Sequence, residues 1–426
     1  MTFIVSLEHP ATVTPALAGP KAARLADLRR AGLTVPDGFC LTADAYRAVL
    51  DAAGVAEAAR RAAQAERPEA RRLALAVRLG LQRAALPAAV SGPLVDAWRS
   101  LAGATRAPVA VRSSALLEDT PETSFAGQFE TYLGVDNEAD LVTAVHGCWA
   151  SLWATRALRY MGSHDVDPAT TAMAVLVQPL VDARAAGGAL SQTPEGGILL
   201  TATWGLGSAI AQGEVVPDRF LLSRAGALLG VEPGRKDRRV RCAPGAGPKP
   251  QAVEPELVGA PCLDEAQAVE LGRMVLRAEA VLGGPVELEW ALGARGFEIL
   301  QARPLRLAPP AAPDELWERH PGLTGQPAGV GWGSGPACIV DHEEELARVK
   351  LGDVLVTQVA GPALTAVLPR VAGVVAELGG STSHLAALAR ERGLPAVLGV
   401  PEATRRIPDG AMVAVDGVTG IVRWMR

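Results

Sequence analysis

Apolar residues alternate with other residues along several short segments in the middle third of the chain, and this period of two is typical of β-strands. The segments are 174–180, 197–203, 220–223, 286–290 and 297–302. A short stretch that contains glycine joins the last two, so they are predicted to form an antiparallel hairpin. The pattern therefore predicts a sheet-rich centre.

Helical spacing of apolar residues dominates the first third. An amphipathic helix is predicted before a turn at 35–39 that leads into a short strand, and further helices are predicted over 52–89 and 141–161. Residues 109–111 are predicted to form a short buried strand, and Trp149 and Trp153 are predicted to lie in the core. The fold class indicated is α/β, of the α+β kind.

Proline and alanine crowd residues 306–322, which are predicted to form an extended, semi-rigid linker. The residues that follow, 323–426, are predicted to form a compact β/α unit that ends in strands around 412–415 and 421–424. A chain of 426 residues is long for one core, so several compact units are expected.

Charge and cysteine usage limit the classes of function. Charged residues make up 20% of the chain and the net charge is -5, so neither nucleic acid nor an anionic membrane is predicted as a partner. The five cysteines are scattered, with no CxxC pair, which favours a reducing cytoplasm. Neither a leader-like start nor an apolar run of about 18 residues is found, so we expect a soluble cytoplasmic protein that acts on small molecules.

The run from Gly379 to His384 precedes an apolar stretch, which predicts a helix that begins near the histidine. Serine and threonine favour the N-cap, the two glycines allow a tight entry, and Gly393 with Pro395 would end the helix. His384 would then lie among unpaired backbone N–H groups, where anions bind readily. One interpretation is therefore a nucleophilic histidine that carries a phosphoryl group. The alternative is a histidine that only packs or caps.

The predicted hairpin has a polar face. If its strands pair symmetrically about the turn, Glu289 lies opposite Gln301 and Glu287 opposite Arg303, and a period of two puts all four on one face. Carboxylate and amide oxygens suit Mg²⁺, and a guanidinium suits phosphate. The alternative is the ordinary polar face of a half-exposed hairpin.

Two cations and one loop could meet a polyphosphate. Lys21 follows a Gly-Pro pair, and Arg112 is predicted to follow the buried strand directly. The small-residue segment 124–128 could close its backbone N–H groups over phosphates. Neither a Walker A nor a GxGxxG pattern is found, which weighs against P-loop and Rossmann folds.

Together these segments resemble the phosphoenolpyruvate synthase and pyruvate phosphate dikinase family, which also includes rifampicin phosphotransferase. The resemblance rests on residues 109–133, 204–207, 217–218, 299–304 and 379–399. It implies an ATP-grasp nucleotide-binding domain over 1–305, with lobes of roughly 1–185 and 186–305. A linker over 306–322 and a swivelling phosphohistidine domain over 323–426 would follow.

The same resemblance implies roles for individual residues. Positions that would contact the phosphates of ATP are Lys21, Arg112, Gly127, Thr131 and Arg303. Gln178 would lie near the adenine, and Glu289 and Gln301 would hold Mg²⁺. His384 would be the phosphorylated residue, with Arg112 and Arg303 taking part in catalysis. Thr382 occupies a position that some family members use for regulatory phosphorylation, and an N-cap role is the one we favour for it.

The reaction implied is transfer of the β-phosphoryl group of ATP through His384 to a small-molecule acceptor, with release of AMP and phosphate. The family's large pyruvate-binding barrel and the antibiotic-binding domain of its rifampicin branch have no counterpart in these residues, so the acceptor site is expected on a separate subunit. Residues 185–193 also depart from the family's Ser-Gly-Val-x-Phe-Thr pattern. Two alternatives stay open: a self-contained, antibiotic-type phosphotransferase, and a non-catalytic nucleotide-binding regulatory protein.

Overall fold

The computed structural model of the chain describes residues 2–9, 12–105, 107–118, 125, 127–162, 164–243, 247–306, 317, 320–359 and 361–425. The chain divides into two compact units. The first comprises Met1–Asp182, Cys242–Lys249 and Glu298–Arg303, and the second comprises Ala183–Arg241, Pro250–Phe297 and Pro304–Arg426.

The first unit is built on a five-stranded antiparallel sheet in the order β1-β2-β5-β3-β4. Its strands are β1 (Ile4–Ser6), β2 (Phe39–Leu41), β3 (Val109–Ala115), β4 (Thr131–Val135) and β5 (Met173–Pro179). Its helices are α1 (Pro15–Arg30), α2 (Ala43–Ala52), α3 (Ala56–Gln64), α4 (Arg67–Arg83), α5 (Ala88–Thr105), α6 (Glu138–Ser151) and α7 (Thr155–Gly162). Helices α1 and α6 pack against β3 and β5.

A second, six-stranded sheet follows in the order β13-β12-β6-β7-β8-β9. The elements in this part of the chain are β6 (Ala185–Leu190), β7 (Ile198–Trp204), α8 (Ser208–Ala211), β8 (Asp218–Leu222), β9 (Leu228–Glu232), β10 (Arg238–Ala243), β11 (Gly247–Ala252), α9 (Glu265–Leu282), β12 (Val286–Gly293) and β13 (Gly296–Pro304). Strands β10 and β11 pair separately. Helix α9 begins with a capping box between Asp264 and Gln267, ends at Gly283 in the left-handed conformation, and packs against β7, β8 and β12.

The last part of the chain forms an eight-stranded sheet in the order β14-β21-β20-β16-β17-β18-β19-β15. Its elements are β14 (Gly322–Thr324), β15 (Gln326–Pro327), β16 (Trp332–Val340), β17 (Val354–Thr357), β18 (Gly373–Ala376), α10 (His384–Glu391), β19 (Ala396–Leu398), α11 (Ala403–Arg406), β20 (Met412–Asp416) and β21 (Ile421–Trp424). Strands β16 to β19 are parallel, and α10 lies on the crossover from β18 to β19.

Most of the predicted elements are confirmed. Strands β5, β7, β8, β12 and β13 lie where alternation predicted strands, and every residue of β5 and β7 is buried. Trp149 and Trp153 are buried as expected, although the predicted helix over 141–161 is divided into α6 and α7. The predicted place of Arg112 after a strand is wrong, because β3 continues to Ala115 and Arg112 lies inside it.

Two predictions fall partly outside the described residues. Most of the linker predicted over 306–322 lies outside them, as do two of the five residues of the segment 124–128. Within the described part of the chain, no single helix is both long and apolar enough to cross a membrane. The helices at 68–83 and 88–105 reach that length and composition only as a pair, and the pair is bent by 60°.

Candidate active site

Lys21 lies just after a break in α1. Gly19 has a φ of 77° there, and a Cβ at Gly19 would lie 2.4 Å from Ser114 Oγ, so only glycine lets the helix approach β3 so closely. The buried Lys21 Nζ donates to the backbone oxygen of Ser113 at 2.9 Å and pairs with the Glu118 carboxylate at 3.0 Å. The break in the helix therefore delivers a buried ammonium group to the end of β3.

Arg112 and Thr131 are direct cross-strand partners on β3 and β4. Such partners have Cβ atoms about 5 Å apart. Arg112 Nη1 also donates to the backbone oxygen of Leu300 at 3.4 Å, one residue before Gln301. The first unit thus brings together the positions predicted to meet phosphate on β3 and β4, and it joins them to the chain around Gln301.

Gly127 occupies a tight turn in the predicted phosphate-closing loop. Its φ is 67°, the φ of Phe125 is 51°, and Gln128 N donates to Phe125 O at 3.0 Å. The Phe125 ring packs against Phe129 and Tyr160, with centroids 5.1 and 4.6 Å away. An aromatic anchor therefore fixes the turn that contains Gly127.

Gln178 is 2% exposed and lies on β5. Its Nε2 donates to the backbone oxygen of Pro36 at 3.0 Å. Gly38 packs so closely here that a Cβ would lie 2.9 Å from Gln178 Cγ. The amide therefore supports the turn that enters β2, and its place near an adenine stays a prediction.

Glu289 lies in a row of residues that crosses three strands of the six-stranded sheet. It is directly opposite Gly188 on β6, and Gly188 is directly opposite Thr201 on β7. Directly opposite residues point to the same face of a sheet, and so does Glu287, two residues before Glu289. One face of this sheet therefore carries both carboxylates. Gln301 and Arg303 lie on β13, and their predicted register with β12 stays a prediction.

His384 is the first residue of α10, as the sequence predicted. The N-cap is Ser383, whose Oγ accepts a hydrogen bond from Ala386 N at 3.2 Å. The expected N-cap role of Thr382 is therefore wrong, because Thr382 precedes the cap. The half-buried imidazole lies in the first helical turn, where backbone N–H groups lack helical partners.

Thr382 contacts the six-stranded sheet. Its Oγ1 lies 2.6 Å from Thr201 Oγ1, and a Cβ at Gly188 would lie 2.5 Å from Thr382 Cβ. We call the contact of Gly188 and Thr201 with Thr382 the threonine seat. It places the residues just before His384 against the sheet row that contains Glu289.

Two further contacts hold the same segment. Arg390, on α10, forms an ion pair with Glu287 at 2.8 Å, and each side chain is 7% exposed. Gln326 Nε2 donates to the backbone oxygen of Pro217 at 2.9 Å, and a Cβ at Gly380 would lie 2.4 Å from Pro217 Cγ. The entry to α10 and its last turn are therefore both fixed to the preceding part of the second unit.

Two family profiles match the chain. The profile described as pyruvate phosphate dikinase, AMP/ATP-binding domain, matches residues 15–320, and the one described as PEP-utilising enzyme, mobile domain, matches residues 349–420. The chain belongs to the phosphoenolpyruvate synthase and pyruvate phosphate dikinase family. The resemblance seen in the sequence is thereby confirmed, and the first of these profiles covers both Lys21 and Glu289 while the second covers His384.

Curated relatives in this family carry the name phosphoenolpyruvate synthase. That of Aeropyrum pernix is 34% identical over 95% of this chain and 56% of its own length. A probable synthase of Methanothermobacter thermautotrophicus is 32% identical over 95% and 61%, and the synthase of Deinococcus radiodurans is 32% identical over 93% and 54%. The chain therefore spans a little over half the length of these relatives.

Several contacts of the site were not predicted from the sequence. Glu287 and Arg390 are 103 residues apart, so their pairing could not be predicted from spacing. Gly188 lies in a run of alanine and glycine that is atypical of strands, and β6 was therefore missed. The departure of residues 185–193 from the family pattern does not point to Gly188, because that pattern contains a glycine as well.

Proposed function

We propose that this chain transfers the β-phosphoryl group of ATP to His384 and from there to a small-molecule acceptor, with release of AMP and phosphate. The observation that carries the proposal is the threonine seat. It presents the first turn of α10 to the sheet face that bears Glu289, the residue assigned to the metal. Such a reaction needs an imidazole that accepts the phosphoryl group and, close to it, a carboxylate that binds the metal ion.

In the proposed first step, an unprotonated imidazole nitrogen of His384 attacks the β-phosphorus. A nitrogen–phosphorus bond forms, the bond from that phosphorus to the α–β bridging oxygen breaks, and AMP leaves with the electron pair. The terminal phosphate of the pyrophosphohistidine then passes to water. Backbone N–H groups in the first turn of α10 would stabilise the anionic product.

Cations of the chain would stabilise the transferred charge. We assign Lys21, Arg112 and Arg303 to the phosphates, with Gly127 and Thr131 beside them, and Gln178 to the adenine. The donors offered by Glu289 and Gln301 are oxygens, which fits Mg²⁺. The described residues gather no three His, Cys, Asp or Glu side chains, so phosphate and water would complete the coordination. Mg²⁺ would neutralise phosphoryl charge.

The acceptor is proposed from the relatives. Proteins named phosphoenolpyruvate synthase match this chain over a little over half of their length, which supports a pyruvate-type acceptor bound outside these 426 residues. Five free cysteines suit the reducing cytoplasm in which we place the protein.

The test is incubation with Mg²⁺ and ATP labelled at the β-phosphate, with AMP release and acid-labile label on the protein as readouts. We expect label on the wild type and none on His384→Ala. ATP labelled at the γ-phosphate should leave no stable label, because that phosphate is lost to water. An unlabelled wild type that still binds ATP would contradict the proposal and favour a regulatory nucleotide-binding protein.

Glu289→Ala is expected to lower the rate of label transfer by at least about 100-fold, because the metal loses a carboxylate ligand and the phosphoryl charge is poorly stabilised. The fold should persist, since Glu289 is only half buried. Glu232→Ala is the matched control, because Glu232 lies exposed on β9 of the same sheet and should leave the rate unchanged. Equal rates for the two variants would exclude Glu289 as a metal ligand.

A further inference from the structure

The threonine seat and the Arg390 ion pair involve residues to which the proposed reaction assigns no chemical role. Gly188, Thr201 and Glu287 come from the six-stranded sheet, whereas Thr382 and Arg390 come from the segment that carries His384. The two contacts flank the histidine in the chain, two residues before it and six residues after it. Contacts so placed fix both the position and the direction of the first turn of α10.

We propose that Gly188, Thr382 and the Arg390–Glu287 ion pair are positioning residues that define the docked state in which His384 receives its phosphoryl group. This inference rests on the proposed function. Label transfer from ATP needs these contacts to form. Transfer to an acceptor bound elsewhere needs them to break.

The shape of the threonine seat supports a specific docking contact. The three atoms nearest to a Cβ built at Gly188 all belong to the Thr382 side chain, at 2.5, 2.7 and 2.8 Å. The absence of a side chain at Gly188 therefore makes the space that Thr382 fills. The Gly188 backbone pairs with both β7 and β12, so Gly188 lies in a central strand. A glycine weakens the interior of a strand and often marks a place where another part of the chain approaches closely, as Thr382 does here.

The ion pair supports the same view. The guanidinium of Arg390 bonds to Glu287 and also donates to the backbone oxygens of Ser381 and Ala328, at 2.6 and 3.3 Å. One side chain thus ties the sheet to Ser381, three residues before His384, and to Ala328, which directly follows β15. Buried ion pairs add little net stability, because desolvation offsets the attraction. A buried charge left without its partner is strongly unfavourable, however, so the pair disfavours other positions of α10 on the sheet. Such a contact suits a docked state that must be accurate and reversible.

The experiment uses complementary changes of size. Gly188→Ala adds one methyl group that would collide with Thr382, and Gly188→Ala combined with Thr382→Gly removes the colliding atoms. Gly230→Ala is the matched control, because Gly230 lies on β9 of the same sheet and a Cβ there meets nothing within 4 Å. Each protein is measured for label transfer from β-labelled ATP, for the thermal shift caused by ATP, and for amide hydrogen exchange over 381–391.

We expect Gly188→Ala to slow label transfer about 100-fold, which is the effect of a displacement of about 1 Å at a reacting group. Its thermal shift with ATP should equal that of the wild type, and α10 should lose exchange protection. The double variant should regain the rate of Thr382→Gly alone. A purely structural defect would weaken ATP binding as well and would not be rescued.

Other outcomes are equally decisive. Wild-type labelling and unchanged exchange in Gly188→Ala would overturn the inference. If the wild type is never labelled but Gly188→Ala still exposes α10 and Thr382→Gly restores its protection, docking stands and the proposed phosphotransfer fails. Glu287→Gln tests the ion pair separately. It should slow labelling about tenfold through loss of a charged hydrogen bond, and an unchanged rate would remove the pair from the proposal.

Discussion

Each compact unit buries one lysine against a carboxylate, and the two pairs are built differently. In the first unit Lys21 pairs with Glu118 at 3.0 Å, and their side chains are 7% and 6% exposed. In the second unit Lys236 pairs with Asp218, and neither side chain is exposed at all. Both pairs are buried, so burial alone does not tell which of the two lysines could bind a ligand.

The difference lies in the remaining contacts. Asp218 also accepts hydrogen bonds from the backbone N–H groups of Gly234 and Cys262, each at 2.8 Å, and Lys236 donates to the Gly234 oxygen at 3.0 Å. This pair is therefore closed by its own loops. Among the described residues Lys21 and Lys236 each donate to two acceptors, although an ammonium group has three donors to offer. The pairs differ in exposure and in the carboxylate: the Lys21 side chain is 7% exposed and Glu118 accepts one backbone hydrogen bond, from Ala115 N at 3.2 Å, whereas Lys236 is fully buried and Asp218 accepts two. We infer that Lys236 is structural and that Lys21 can meet a phosphate.

The largest effect on stability is expected at the Lys236–Asp218 pair. Lys236→Met should lower the free energy of unfolding by about 3 to 5 kcal/mol, because it leaves Asp218 buried without its countercharge. Urea denaturation would measure the loss. Lys236→Met with Asp218→Asn should recover much of it, since no buried charge is then unpaired. A loss below about 1 kcal/mol in the single variant would show that water reaches Asp218, and the contrast between the pairs would fail.

At the Lys21–Glu118 pair, we expect substitutions to affect the stability of the protein and its binding of ATP differently. Lys21→Met should cost about 3 kcal/mol, and adding Glu118→Gln should restore part of this. ATP at about 100 times its Kd stabilises a binding protein by about 2.7 kcal/mol, and we expect this gain in the wild type but not in either variant. Chemical denaturation with and without ATP measures both quantities. A double variant that is still stabilised by ATP would show that Lys21 is structural too.

The sequence predicted Lys21 because it follows a Gly-Pro break, and it predicted His384 because caps and glycines surround it. Such local signals depend on a few neighbouring residues. The structure places Lys21 in the first turn after the break in α1 and His384 in the first turn of α10. Lys236 carried no signal, because the partner that buries it lies 18 residues away. Contacts of this kind arise from tertiary packing, and neither periodicity nor spacing reports them.

His146, on α6, is a buried basic group whose pKa is lowered by burial below the usual value of about 6.5. As pH falls through about 6.5 the unfolded chain binds a proton that the folded chain does not, so His146 contributes stability above that pH and loses it on acidification. His146→Gln removes this titration while other groups titrate alike in both proteins. The stability of the variant relative to wild type should therefore rise between pH 7.5 and pH 5, by less than about 1.4 kcal/mol per pH unit. Urea unfolding at several pH values tests this, and parallel curves for the two proteins would mean that His146 protonates in the folded state as readily as in the unfolded chain.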